Sequence, residues 1–159
     1  MGSFTPLCHK GVMTGDPVQP RLRDALFSEA MLLADEARDY FEGTGRAEGA
    51  RLDPAGRVEF SCESLKATVR IMQAVAWLLT HRAIDVGEIT PDDARLPSRR
   101  LGDPPESEEA KLYPLPVRAR ALIRASIDLH RRVAHLDRAL DEEVESPARA
   151  MQERLRREL

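Results

Sequence analysis

The sequence predicts an all-α protein, and three observations carry that expectation. Aromatic residues are 4% of the 159 residues while hydrophobic residues are 42%, a balance far from the aromatic and β-branched content that strands favour. Ala, Leu, Arg and Glu, all good helix formers, are abundant. Apolar residues also recur at steps of three and four through three long segments separated by glycine and proline. A chain of this length forms one domain, with room for a real core when its elements pack side by side. The spacing predicts an antiparallel three-helix bundle in up-down-up order over residues 20–145, with a long central helix. A flexible leader at 1–19 and a mobile tail at 146–159 are expected around it.

The first helix begins near Pro20, whose missing N–H costs nothing in a first turn, and ends at Gly43 and Gly45. Its stripe is Leu22, Leu26, Ala30, Leu33, Ala37 and Tyr40. Asp53-Pro54, a cap followed by proline, opens the central helix, which runs to Gly87. Along it Val58, Cys62, Leu65, Val69, Met72, Ala76, Leu79, Ala83 and Val86 alternate steps of four and three, a heptad seam of ~50 Å at 1.5 Å per residue. On this phase Leu65, Val69, Met72 and Leu79 are core. Thr90-Pro91-Asp92-Asp93 supplies a cap, a proline and early acids for a short turn ending near Leu96.

Residues 97–109, PSRRLGDPPESEE, have few apolar groups and much proline and charge, which predicts a mobile loop. The third helix starts after Pro114 or Pro116 and carries Leu122, Ala125, Leu129, Val133, Leu136 and Leu140. Ser146-Pro147 reads as a stop followed by a new cap. Beyond it Met151, Leu155 and Leu159 form a thin stripe suited to a recognition peptide.

On a helical wheel Trp77 falls away from the central seam, flanked by Glu63, Lys66, Arg70, Gln73 and His81, with Ile84 a turn further on. Two readings of this face stand: a partner-binding surface anchored by tryptophan and arginine, or the edge of the bundle, with polar groups snorkelling or buried in a network. Arg70 suits the buried network, whereas the end around His81 suits a partner surface. Arg82 lies within the apolar arc and calls for a carboxylate or a reach past the helix end.

Several function classes are disfavoured. A net charge of −3 supplies no global field toward nucleic acid or an anionic membrane. The longest apolar run, residues 71–79, is too short to span a bilayer. Cys8 and Cys62 form neither a disulfide framework nor a metal spacing, in keeping with a reducing cytoplasm. Ser64 and His81 are ~25 Å apart on one helix, and His130 and His135 lack the i, i+4 spacing of a helical metal pair. Each lone histidine therefore reads as a solvated surface group, and no catalytic residue, metal or cofactor is expected. Arg118, Arg120, Arg124, Arg131, Arg132 and Arg138 make the third helix locally basic and keep a small DNA-binding regulator as an alternative, beside a purely structural helical dimer.

The run EFSCESLKATVRIMQAVAWLLTHRAIDVGEITPDDAR, with Glu63-Ser64, Arg70-x-Met72-Gln73, Trp77-Leu78-Leu79 and Arg82-Ala83 before Gly87-Glu88, resembles the central helix of the alphaproteobacterial RcdA family. The resemblance extends through EGARLDP and IRASIDLHRRVAHLDRAL, and so covers most of positions 20–140. It implies a three-helix bundle that forms a homodimer. It also implies a non-enzymatic adaptor role: the family's name-giving member is a regulator of CtrA degradation that helps the ClpXP protease receive cell-cycle substrates, together with other adaptors and at the cell pole. A flexible C-terminal tail belongs to that role.

Overall fold

The computed structural model describes residues 18–145 and 147–157. Of the expected leader only Val18 and Gln19 are among them, and these already belong to the first helix. Seven α-helices are described: α1 Val18–Glu42, α2 Thr44–Ala50, α3 Pro54–Asp85, α4 Pro91–Ala94, α5 Glu109–Leu112, α6 Val117–Glu145 and α7 Pro147–Arg157. A 3-10 turn spans Pro97–Arg99. The all-α bundle with a long central helix is thus present, with α1, α3 and α6 as its three long members.

Capping chemistry places the ends. The Asp53 side chain accepts from the Gly56 N–H at 2.9 Å, and Pro54 occupies the first turn of α3. Gly87, at φ +78°, turns the chain out of α3 in a conformation that disfavours any Cβ. Thr90 and Asp93 close a reciprocal capping box on α4.

The contacts also set the direction of each helix. Arg23 meets Asp85 at 2.6 Å and the Phe41 and Phe60 rings lie 5.7 Å apart, so α1 and α3 are antiparallel. Arg132 meets Glu29 at 2.9 Å and Arg118 lies over the Tyr40 ring, so α1 and α6 are antiparallel as well. Arg70 meets Ser126 and Trp77 meets Asp137, which makes α3 and α6 parallel. This departs from the expected up-down-up order. Residues 86–116 are long enough to travel back along α3, so α6 starts beside the beginning of α3 rather than its end.

The core combines Leu26, Ala30, Leu33, Ala37 and Tyr40 of α1 with Phe60, Ala67, Ile71, Ala74, Trp77 and Leu78 of α3 and Leu122, Ile123, Leu129 and Val133 of α6. The α1 stripe is as expected except for exposed Leu22. The phase of α3 is not. Val58, Leu65, Val69, Met72, Leu79 and Val86 are exposed, and the helix turns its opposite side inward. Alpha3 has two apolar stripes; the one that packs on α1 and α6 includes Trp77, Ile71 and Leu78 but is interrupted by Glu63 and Arg70.

Candidate functional site

The inward face of α3 is closed by an extended strap, residues 100–108, which descends the groove between α3 and α6. Its prolines leave backbone carbonyls with no helix or sheet to satisfy them, and buried carbonyls require partners. The long helices supply these. Arg70, 1% exposed, donates from Nε and Nη2 to the Pro105 carbonyl at 3.1 and 2.7 Å and from Nη1 to Ser126 Oγ at 3.3 Å. Its Nη2 also donates to Ser107 Oγ, which in turn donates to the fully buried Glu63 carboxylate. Lys66 holds the other oxygen of Glu63 at 2.7 Å. A planar, forked guanidinium can serve several acceptors at once, which an ammonium cannot do with the same geometry. Burial pulls the Arg70 guanidinium below its ordinary pKa, while the Glu63 charge works against that shift.

Further along the strap Gln73 Nε2 donates to the Asp103 carbonyl at 3.1 Å. A Cβ on Gly102 would come within 2.8 Å of that same Nε2, so a side chain there would push the Gln73 amide aside. His130 Nε2 lies 3.1 Å from the Gly102 carbonyl. Because a carbonyl only accepts, the proton is on Nε2. Trp77 Nε1 donates to Asp137 Oδ1 at 2.7 Å, and His81 packs over the indole with ring centroids 3.9 Å apart. Arg100 ties the top of the strap to Asp137 and Asp141. The segment expected to be a mobile loop is therefore pinned at several points.

This geometry corrects the surface reading of the Trp-centred face. Glu63, Arg70 and Trp77 lie in the interior, and Lys66, Gln73, His81 and Ile84 are half-buried beside them. Glu63, Arg70 and Gln73 clasp the chain's own strap, and Arg70 sits in a buried polar network. His130 is buried and His81 half-buried, against the expectation of solvated histidines; among the described histidines only His135 is exposed. Arg82 approaches Asp24 at 4.0 Å and lies over the Phe27 ring. Ser107, Ser126, His130 and Asp137 are parts of the clasp that sequence reasoning missed. One signal was available: Ser126 and His130 sit at core spacing between Ile123 and Val133.

A cavity of about 420 Å³ lies between the strap and α6, lined by Arg70, Pro105, Ile127, His130, Arg131 and Ala134 among others. Along α6 the arginines are engaged: Arg124 with Glu109, Arg131 with Asp128, Arg132 with Glu29 and Asp128. Among the described residues no group of three or more His, Cys, Asp or Glu is placed to hold a metal ion, and no helix is long and apolar enough to cross a membrane. Met151 and Leu155 are exposed on α7, and Leu159 lies outside the described residues.

The two inner histidines have a pH consequence. Burial lowers the pKa of both His81 and His130; the Arg23 and Arg70 charges respectively add to that shift. A group whose folded pKa lies below its unfolded value contributes stability above the unfolded pKa, about 6.5 for histidine, and loses it as pH falls toward the folded value. Urea unfolding should therefore give constant stability from pH 8 to 7 and a decline below about pH 6.5. His130→Gln should make that decline shallower.

Together the fold and its surfaces define a class: a helical-bundle protein with a sealed polar interior and an apolar stripe on its longest helix turned outward. The comparisons agree on the family. Over residues 15–159 the chain matches the family described as "Protein of unknown function (DUF1465)", and it belongs to that family. It is also similar to the crystal structure of RcdA from Caulobacter crescentus CB15, at 33% sequence identity and a TM-score of 0.66, covering 81% of this chain and 98% of that one. No curated protein matches.

Proposed function

We propose that the protein is a non-enzymatic adaptor that binds other proteins and helps deliver cell-cycle substrates to the ClpXP protease. The observation that carries this reading is the similarity to RcdA, which spans nearly the whole of that chain. The outward stripe of α3 supports it physically, because exposed contiguous apolar surface marks sites of protein association. In this reading the protein is a cytoplasmic homodimer whose partners are a second copy, other protease adaptors and the substrates themselves. Its α7 segment, with Met151 and Leu155 exposed, is a docking element separate from the bundle.

Capture from the native cell on catalytically inactive ClpXP should retain the protein among the bound adaptors. In a reconstituted degradation assay, deletion of residues 147–159 should leave the melting curve unchanged and slow turnover of at least one substrate. Full degradation without the tail would remove its docking role, and absence from the trapped protease would remove the adaptor reading. A purely structural dimer would capture no client at all.

A further inference from the structure

We infer that the outward stripe of α3 pairs with α3 of a second copy, antiparallel, about a two-fold axis passing between Val69 and Met72. The inference rests on the homodimer reading above and gives it a geometry. Its first support is the absence of charge. The exposed residues of α3 between Glu59 and Arg82 are Ser61, Cys62, Leu65, Thr68, Val69, Met72, Ala76 and Leu79, all uncharged in a chain that is 32% charged. Depletion of charge is the compositional mark of an interface core. About 600 Å² per copy is the lower end of what a stable pair buries, and the stripe runs for about 45 Å at 1.5 Å per residue.

The second support is the order of side-chain sizes, and it selects both the partner and the direction. In heptad terms one row of the seam is small, Ala55, Cys62, Val69, Ala76 and Ala83, and the other is larger, Val58, Leu65, Met72, Leu79 and Val86. Parallel pairing sets each row against itself, so Ala76 faces the partner's Ala76 and Leu65 faces the partner's Leu65, alternating voids with crowding. Antiparallel pairing sets the small row against the large one. With the axis between Val69 and Met72, Leu65 meets the partner's Ala76, Cys62 the partner's Leu79, Val58 the partner's Ala83 and Ala55 the partner's Val86. No seam residue is left over. A shift of one heptad still sets small against large but leaves two seam residues of each copy unpaired and shortens the contact. A surface that is its own complement in this way suits an isologous two-fold contact rather than an unrelated helix, and opposed helix dipoles favour the antiparallel direction.

Cysteine chemistry tests the register directly, because Cys62 is exposed and free. In a full-length Cys8→Ser background, oxidation should give almost no covalent dimer, since the two copies of Cys62 lie about 25 Å apart along the seam. Adding Leu79→Cys should convert most of the protein to a disulfide-linked dimer, because the new thiol then faces the partner's Cys62 within the few ångströms a disulfide needs. A cysteine-free chain carrying Leu65→Cys and Ala76→Cys repeats the test should Leu79→Cys weaken pairing. Leu65→Glu should raise the dimer dissociation constant at least tenfold in sedimentation, with the helical circular dichroism unchanged. Efficient crosslinking of Cys62 alone would overturn the antiparallel direction. A dimer in sedimentation that neither designed pair crosslinks would overturn the register while leaving the homodimer reading in place. A monomer at tens of micromolar would overturn the pairing itself, with the adaptor role still decided separately by the degradation assay.

Discussion

Replacing Arg70 with methionine should lower the unfolding free energy by about 3–5 kcal/mol, the range seen when one partner of a buried, hydrogen-bonded charge network is removed. The magnitude follows from what is left behind. Glu63 and Ser126 are fully buried, and Arg70 supplies the N–H groups that Pro105, Ser107 and Ser126 accept from. Methionine fills much of the same space but offers no donor, so the Pro105 carbonyl and the Ser107–Glu63 pair lose their counterpart. The midpoint of urea unfolding reports the loss, provided the m-value stays constant. Adding Glu63→Gln to Arg70→Met should recover part of it, because the buried Glu63 carboxylate keeps Lys66 and Ser107 but loses the nearby Arg70 charge, and the amide removes that uncompensated charge. A loss below about 1 kcal/mol would mean that the strap is not needed for stability.

Trp77→Ala and Leu79→Ala, two residues apart, should behave oppositely. Trp77 is 1% exposed and its indole N–H donates to Asp137, so truncation creates a large cavity and leaves that half-buried carboxylate with Arg100 alone, costing about 3–5 kcal/mol. Leu79 is 48% exposed, so its truncation should cost the isolated protomer less than about 1 kcal/mol. Thermal unfolding at concentrations low enough to separate paired copies distinguishes the two, since association would otherwise add to apparent stability. A large loss for Leu79→Ala in separated protomers would return the seam to the core and reverse the phase of α3.

Much of the fold was legible in the sequence, and the errors share a cause. Helix ends were readable because they are local: Asp53-Pro54 caps α3, Thr90 and Asp93 box α4, and α7 starts at Pro147. The α1 stripe was readable because that helix has one dominant apolar side. Alpha3 has two, and periodicity favoured the uninterrupted one. The side that packs inward includes Glu63 and Arg70, whose burial becomes tolerable only once Ser107 and the Pro105 carbonyl arrive from 35 or more residues away. No helical pattern records such a contact. The same holds for the strap, whose composition reads as loop and whose anchorage is made almost entirely by side chains of other elements. The parallel course of α6 was hidden for a related reason, since the length of a connection permits a return path without announcing it.

That return path also orders assembly in time. Alpha1 and α3 are joined by a short link, 43–53, so their hairpin can form from contacts close in the chain, and rates of formation rise as contacts become more local. Alpha6 must wait until residues 86–116 have doubled back, and closing a longer loop costs additional chain entropy, though only logarithmically. Until the strap arrives, Glu63 and Arg70 remain hydrated on an open flank of the hairpin. Their dehydration is thus a late event on the folding route, and the last segment to settle is the one that converts a wet polar groove into an interior.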